Sequence, residues 1–272
     1  MKRIFFLLLL FTAPAIRAQK VDTVAVYSPS MNKDIKNVVI LPKDYGTVSG
    51  KTYPVLYLLH GYNGNYAAWV RIKPELPEIA SLTGMIIVCP DGQNSWYWDS
   101  PKVPSVRFET YVSAELVNYI DKNYSTRAEP AGRAVTGLSM GGHGGLWLGI
   151  RHQDIFGACG SMSGGVDIRP FPENWEMKKQ LGDYAENQSL WEEHTVINQL
   201  HKIRAGKLQM IIDCGTGDFF YAVNKALHEK LLYLNIPHDY TERPGIHNGA
   251  YWKNAVDYHI LYFAKFFRAE KP

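Results

Sequence analysis

Residues 133–151 read RAVTGLSMGGHGGLWLGIR. An apolar, strand-like run over residues 134–136 leads into GLSMG at residues 137–141, and a helical pattern follows directly. The G-x-S-x-G motif of serine nucleophiles requires this strand–turn–helix context, because glycines on both sides permit the sharp turn that exposes the serine Oγ. The alternative is a glycine-rich turn with an incidental serine. We predict that Ser139 is a nucleophile at the carboxyl end of a strand, facing the start of a helix.

A second motif lies at the end of an earlier apolar run, where residues 60–64 read HGYNG. A His-Gly pair at this place commonly supplies one backbone N–H group to a developing oxyanion, and the residue after the nucleophile supplies the other. We expect the N–H groups of Tyr62 and Met140 to form this oxyanion hole. His60 precedes the serine in the chain, which argues against a role as the catalytic base. We expect its ring to brace the loop and count it among the substrate-binding residues.

The acid and the base of such a site follow the serine in the order Ser, Asp, His. Asp213 is the last residue of the apolar run at 208–213, and Asp218 lies in the loop beyond it. We favour Asp218 as the acid because catalytic residues are frequent on loops, and Asp213 is the alternative. We favour His247 as the base, since a loop histidine can present Nε2 to the serine while the acid holds Nδ1. The other downstream histidines are placed in helices or at the start of a short strand (His228, His238, His259).

An aromatic segment, NSWYWD at residues 94–99, follows the fourth apolar run, at the same end of the predicted sheet as the nucleophile. Ligands of open α/β sheets bind at this end. We predict that Trp96 and Trp98 bind substrate by stacking on a sugar or a phenolic acyl group, and Trp175 and Trp191 are candidates to extend this wall. The alternative is that these rings only pack the loops onto the fold.

Nearly continuous apolar runs alternate with helical patterns along the chain. The runs lie at residues 54–59, 85–89, 133–136 and 208–213, after two β-branched segments at 21–27 and 35–41. Helical spacing covers residues 108–124, 141–151, 223–235 and 252–268. Buried strands that alternate with helices predict an α/β fold with a mostly parallel central sheet, helices on both faces and an antiparallel opening pair.

Residues 164–205 break this alternation. They contain a Gly-Gly pair, prolines and two tryptophans, without an obvious core of their own. We interpret them as a partly helical, cap-like insertion over the carboxyl edge of the sheet. The chain has 272 residues, 46% of them hydrophobic, which is enough for one large core. We therefore predict a single domain over residues 19–272.

The first 18 residues have the layout of a secretory signal peptide, with Lys2 and Arg3 before the apolar run 4–11 and a small-residue site at the end. The run has eight residues, and a bilayer span requires about 20. We expect export without stable membrane insertion, and a mature chain that begins at Gln19. Removal of Lys2, Arg3 and Arg17 changes the net charge from +3 to 0 (+3 − 3), which indicates no nucleic-acid or anionic-membrane partner.

Three cysteines, Cys89, Cys159 and Cys214, lie in or beside apolar segments, which favours buried free thiols. One disulfide is the alternative, and the odd count then leaves a thiol over. No cysteine or histidine spacing matches a zinc site. We expect neither a metal nor another cofactor.

Five stretches together resemble the putative esterase family, which groups esterase D, feruloyl and acetylxylan esterases and the antigen 85 mycolyltransferases. They are LLHGYNGNYAAW, CPDGQNSWYWDS, GRAVTGLSMGGHGG, IDCGTGDFF and IPHDYTERPGIHNGAYW. Their joint occurrence is more specific than G-x-S-x-G alone. The resemblance implies an α/β-hydrolase fold, the triad Ser139, Asp218 and His247, and oxyanion donors at Tyr62 and Met140. Residues 164–205 align to no one member of the family.

The resemblance, the expected export and the aromatic loops favour a secreted serine esterase that works through an acyl-enzyme. We expect it to act on small-molecule or carbohydrate esters, removing acetyl or feruloyl groups. The alternatives are a broad short-chain (tributyrin-type) esterase, an enzyme like S-formylglutathione hydrolase, and a transacylase, since alcohols compete with water for the same acyl-enzyme. A non-enzyme alternative is a catalytically silent binding protein of the same fold, against which the intact serine, aspartate and histidine argue.

Overall fold

A computed structural model describes residues 20–269 and arranges them around one eight-stranded sheet. The strands are β1 (Lys20–Ser28), β2 (Lys33–Leu41), β3 (Val55–Leu59), β4 (Ile86–Pro90), β5 (Arg133–Gly137), β6 (Ala158–Met162), β7 (Gln209–Gly215) and β8 (Asp239–Arg243). The signal-peptide prediction concerns residues 1–18, which lie outside the described residues.

The strand order in the sheet is β1-β2-β4-β3-β5-β6-β7-β8. β1 pairs antiparallel with β2, and β2 pairs antiparallel with β4. Every other neighbouring pair is parallel. The antiparallel opening pair and the mostly parallel sheet are therefore confirmed, and the carboxyl ends of β3 to β8 point to one edge.

Helices cover both faces of the sheet, as predicted. They are α1 (Ala68–Ile72), α2 (Leu76–Thr83), α3 (Phe108–Thr110), α4 (Val117–Asn123), α5 (Met140–Arg151), α6 (Met177–Leu181), α7 (Gln188–Glu193), α8 (Tyr221–Tyr233) and α9 (Gly249–Arg268). A π-helical segment, Tyr111–Leu116, joins α3 to α4. Among the residues that the structure describes, no helix is long and apolar enough to cross a bilayer.

Two hydrophobic clusters, one on each face, form the core, and β3 shows why its sequence is apolar throughout. Val55, Tyr57 and Leu59 belong to the cluster that contains α3, α4, α5 and α8, whereas Leu56 and Leu58 belong to the cluster that contains α1, α2 and α9. Successive side chains of a strand point to opposite faces, so a strand covered on both sides is apolar at every position.

The insertion, residues 164–205, contains α6, α7 and two short 3-10 turns, Val196–Asn198 and Leu200–Lys202. It follows β6 directly and leads to β7. Its buried apolar side chains belong to the same cluster as the sheet (Val166, Ile168, Met177, Leu181, Trp191, Val196, Leu200). The segment is therefore packed against the main core and does not build a separate one.

Candidate active site

Ser139 lies on a tight turn between β5 and α5, with a positive φ of 55°. This left-handed region is costly for a residue with a Cβ, and such strain concentrates at functional sites. The turn also brings the backbone close to β3. A Cβ on Gly141 would lie 2.4 Å from the carbonyl oxygen of Leu59, and one on Gly137 would lie 2.5 Å from the same atom. Only glycine fits at either position, which explains the G-x-S-x-G spacing.

Three loops at the carboxyl edge of the sheet bring Ser139, His247 and Asp218 together. Nε2 of His247 lies 2.9 Å from Oγ of Ser139, and Nδ1 of His247 lies 2.8 Å from Oδ2 of Asp218. The Asp218 carboxylate also accepts the N–H of Phe220 at 2.8 Å. Its side chain is buried, so its charge is directed at the imidazole and at this amide. The three side chains have the arrangement of a serine–histidine–aspartate triad, in which the carboxylate orients the imidazole.

The loop that carries Asp218 and the loop that carries His247 are hydrogen-bonded to each other. The N–H of Thr216 donates to the carbonyl of Arg243 at 2.9 Å, and the N–H of Gly217 donates to the carbonyl of Gly245 at the same distance. These backbone bonds continue the parallel β7–β8 ladder beyond its last pair, Gly215 and Arg243. The acid and the base are therefore set in register by the sheet itself.

The HGYNG loop lies against the nucleophile. A Cβ on Gly61 would come within 3.2 Å of the Ser139 Cβ, so the backbone passes close to the serine here. The loop is fixed from outside by a reciprocal amide pair, in which the N–H of Asn63 donates to Oδ1 of Asn94 and Nδ2 of Asn94 donates to Oδ1 of Asn63. Within residues 20–269, the N–H groups of Tyr62 and Met140 donate no hydrogen bond to a protein acceptor. Two backbone donors next to Ser139 are thus open to a ligand.

Asp213, the alternative acid, does not contact His247. It is fully buried, and its two carboxylate oxygens are taken by Arg243 and by the hydroxyl of Tyr251. Burial raises the pKa of Asp213, although the hydroxyl of Tyr251 and the Arg243 guanidinium act in the opposite direction. The geometry therefore separates the two aspartates into one that faces the imidazole and one that faces the core.

His60 is a brace and not a substrate contact, which corrects its place among the predicted substrate-binding residues. Only 1% of it is exposed. Its Nδ1 lies 2.7 Å from the carbonyl of Gly61, and its Nε2 accepts the N–H of Gly92 at 2.8 Å. Nδ1 thus contacts the loop after β3 itself, and Nε2 ties that loop to the loop after β4. Neither ring nitrogen is left for a ligand.

The prediction that Trp96 and Trp98 stack on substrate is wrong, because neither ring is exposed. Trp96 is 1% exposed and Trp98 is fully buried. The two rings stack on each other, and Nε1 of Trp98 donates to Nε2 of His143 at 2.8 Å. Trp96 and Tyr97 both have left-handed backbone, which turns this segment inward. Because burial of such large aromatic surfaces is favourable, these rings pack the loop onto the core of the protein.

A different aromatic group borders the triad, centred on Phe219. Phe219 follows the acid directly and is 52% exposed, and its ring centroid lies 4.2 Å from that of His247. Trp175 of the insertion stacks on Phe219 at 5.8 Å with an interplanar angle of 22°. Phe219 lies within the IDCGTGDFF stretch, yet nothing in the sequence distinguished it from the buried Phe220 beside it. Its exposure depends on packing that only the fold reveals.

The remaining histidines and the cysteines lie apart from Ser139. His228 and His238 contact each other at 2.7 Å through Nδ1 and Nε2. His259 is buried on α9, where its Nδ1 lies 2.9 Å from Oγ1 of Thr136. All three cysteines are free and buried, as their apolar surroundings favoured, and burial raises the pKa of the Cys89 thiol to about 12.

A nucleophile elbow between a central strand and a helix, followed in chain order by an acid and a histidine on later loops, defines the α/β-hydrolase class. The sheet and the three loops described above have this arrangement. Within that class, the chain belongs to the family described as "Putative esterase", whose model matches residues 28–261.

Several known proteins are similar to this chain. An esterase of Mycobacterium tuberculosis is 31% identical over 235 residues, which cover 77% of this chain and 51% of the relative. The chain thus spans about half the length of that relative. An acetyl esterase of Caldicellulosiruptor saccharolyticus is 24% identical over 250 residues, covering 85% of this chain and 92% of the relative. The solved structure of a ferulic acid esterase is 27% identical, with a TM-score of 0.79 and coverage of 92% and 98% of the two chains.

Proposed function

We propose that this protein is a carboxylic-ester hydrolase in which Ser139 is the nucleophile, His247 the general base and acid, and Asp218 the orienting carboxylate. The observation that carries this proposal is the continuous hydrogen-bonded path from Oγ of Ser139 through the imidazole to Asp218. Membership of the esterase family supports it.

The geometry suits a two-step acyl transfer. His247 Nε2 accepts the proton of Ser139 Oγ as that oxygen bonds to the ester carbonyl carbon, and the carbonyl oxygen becomes an oxyanion. The open N–H groups of Tyr62 and Met140 are the proposed donors to that oxyanion. When the intermediate collapses, the imidazolium returns the proton to the leaving alcohol oxygen. Water then repeats the sequence on the acyl-enzyme and releases the acid, which restores the serine.

Replacement of the nucleophile tests this mechanism. Ser139→Ala should leave the fold intact and lower kcat by on the order of 10⁶, the loss measured for other catalytic serines. The measurement is hydrolysis of p-nitrophenyl acetate, with circular dichroism to establish folding. A fluorophosphonate probe should label the wild type at Ser139 and leave the variant unlabelled. Full activity in the purified variant would contradict the assignment.

The proposed substrates are acetyl or feruloyl esters of carbohydrates. Two relatives support this choice, since one is named an acetyl esterase and one solved structure is a ferulic acid esterase. The exposed Phe219 ring, backed by Trp175, adds an aromatic surface beside the triad on which a phenolic acyl group can stack. A panel of acetyl, butyryl and feruloyl esters separates the possibilities. Equal turnover of acetyl and butyryl esters without feruloyl cleavage would favour the broad short-chain esterase.

We also propose that the protein is exported, which the charge and hydropathy pattern of residues 1–18 supports. Mass spectrometry of protein recovered from the culture medium or periplasm should find Gln19 at the amino terminus. An intact Met1 on protein confined to the cytoplasm would overturn this part of the proposal.

A further inference from the structure

Asp213 and its two partners form a buried group that the catalytic steps do not use. The Asp213 carboxylate receives the Arg243 guanidinium on Oδ2 and the Tyr251 hydroxyl on Oδ1. Arg243 is the last residue of β8, and Tyr251 lies in the first turn of α9. One carboxylate therefore joins the end of a strand to the start of a helix.

The segment between these two anchors carries the base. His247 lies four residues after Arg243 and four residues before Tyr251, at the centre of the segment 243–251. Within the described residues, the backbone N–H groups of Ile246 and His247 donate no hydrogen bond. In the described part of the chain, the backbone next to His247 is held only through the carbonyls of Gly245 and Asn248, which accept from Gly217 and Trp252. The position of His247 therefore also depends on how firmly the two ends of the segment are fixed.

Both anchors are well packed. The Arg243 guanidinium lies 4.0 Å from the ring centroid of Tyr258 on α9 and is largely buried. Tyr251 is buried, and its N–H donates to the side chain of Asn248, the N-cap of α9, at 2.9 Å. On β7, Asp213 pairs with Thr241, so the strand ladder fixes the carboxylate relative to β8. A charged, buried acceptor with two donors is rigid, because loss of either donor leaves an unpaired group in the core.

We propose that Asp213 is a positioning residue which, through Arg243 and Tyr251, holds the loop 243–251 so that the His247 imidazole stays within hydrogen-bond reach of Ser139. The inference rests on the proposed function, since it assigns a role in that same site. Asp213 acts through the loop and touches no reacting atom. It differs in this from Asp218, which contacts the imidazole directly.

Tyr251→Phe tests the proposal with the least disturbance, because it removes one hydroxyl and keeps the ring. We expect kcat for p-nitrophenyl acetate to fall about 10-fold with KM nearly unchanged, since small misplacements of catalytic groups slow the chemical step. The backbone amides of Gly217 and Trp252, which donate to the Gly245 and Asn248 carbonyls of the segment, should exchange hydrogen faster than in the wild type. Tyr111→Phe is the matched control, because Tyr111 is a buried tyrosine whose hydroxyl bonds a buried side chain, Asn37 of β2, which is five strands from β7 in the sheet.

Charge at the strand anchor provides a second comparison. Arg243→Lys keeps a cation for Asp213 and should retain more kcat than Arg243→Met, which leaves the buried carboxylate with the Tyr251 hydroxyl but without a cation. If Tyr251→Phe and Tyr111→Phe have the same kcat and the same exchange at the amides of Gly217 and Trp252, the proposal is overturned. It is also overturned if exchange rises at these amides while kcat stays at the wild-type value.

The failure of the proposed function is distinguishable from the failure of this inference. A wild-type protein that cleaves no ester and takes up no fluorophosphonate would contradict the esterase proposal. The exchange comparison then decides the positioning role alone, because it requires no activity. Faster exchange at the amides of Gly217 and Trp252 in Tyr251→Phe than in Tyr111→Phe supports the anchor, and equal exchange refutes it.

Discussion

At the scale of single residues, two aspartates five positions apart in the sequence have different proposed roles, Asp213 on β7 and Asp218 in the loop that follows it. A matched pair of substitutions distinguishes them. Asp218→Asn removes the carboxylate that orients His247 and stabilises its protonated form, so kcat should fall roughly 10⁴-fold. Asp213→Asn keeps the volume of a residue that only anchors the loop, so its loss should be nearer 10-fold. Steady-state hydrolysis of p-nitrophenyl acetate measures both. A larger loss for Asp213→Asn would reverse the assignment.

A second prediction is that the exposed Phe219 ring determines the preference for feruloyl over small acetyl esters. Phe219→Ala removes an exposed ring beside His247, so kcat/KM for a feruloyl ester should fall. The fall should correspond to a loss of about 1–3 kcal/mol of transition-state stabilisation, the order of one lost stacking contact. Small acetyl esters should be affected much less. Phe219→Leu is the control, because leucine retains apolar contact with the imidazole without a stacking face. Equal losses on both esters would show that the ring supports His247 and not the acyl group.

The contrast between Phe219 and the two loop tryptophans shows how far sequence alone reaches at this scale. Chain order and loop position were sufficient to bring Ser139, Asp218 and His247 together, because the motif spacing reflects the strand order of the fold. The exposure of an aromatic ring has no such local signature. Trp98 is bonded to His143, 45 positions further along the chain, and no pattern around residue 98 reports that partner.

At the scale of secondary-structure elements, the turn between β5 and α5 predicts a steric limit. A Cβ at Gly141 would lie 2.4 Å from the Leu59 carbonyl and 2.6 Å from that of His60, both of them backbone atoms. Gly141→Ala should therefore destabilise the fold by about 1–3 kcal/mol, as overpacking commonly does, and lower kcat by shifting the HGYNG loop. Urea unfolding and hydrolysis rates measure the two effects.

Gly249→Ala is the control for that variant. Gly249 also begins a helix, but a Cβ there meets nothing within 4 Å. Alanine should be neutral or should stabilise α9 by up to about 1 kcal/mol, because it restricts the unfolded chain and has the better helix propensity. Similar losses for the two variants would show that glycine at position 141 is not required by contact with β3.

Elements also differ in how readily the sequence reveals them. β3, β4 and β7 are rich in branched apolar residues, which predicts strands covered on both faces. β6 reads ACGSM, and no pattern set its bounds, since its small side chains are required by the close packing of α5 against it. α1 and α2 are five and eight residues long, too short for a clear helical period, and were not predicted.

At the scale of the whole molecule, two buried histidines predict how stability depends on pH. Burial lowers the pKa of His143 and of His259 to about 3, so both are neutral in the folded chain. Unfolded histidines have a pKa near 6.5, so between about pH 6 and pH 3 the unfolded chain binds more protons. The free energy of unfolding should therefore decrease as pH falls through that window, by about 1.4 kcal/mol per pH unit for each histidine.

His259→Asn tests one of these contributions, because asparagine can keep a polar contact with Thr136 and does not titrate in this range. Urea unfolding at pH 6, 5 and 4 should show a slope smaller by about 1.4 kcal/mol per pH unit than in the wild type. An unaltered slope in His259→Asn would mean that its imidazole is protonated in the folded state.

The three cysteine thiols have a consequence for the whole chain. Because each is buried and its pKa is raised, only an opened molecule presents a reactive thiolate to a reagent in solution. A thiol-specific dye added to the native protein therefore reacts only through opened molecules, and at the opening rate when the dye reacts faster than the structure recloses. With Cys89 on β4, Cys159 on β6 and Cys214 on β7, mass spectrometry of the modified peptides resolves that opening by strand. The native sequence thus contains three probes of local opening, one on each of three strands, and no engineered label is needed.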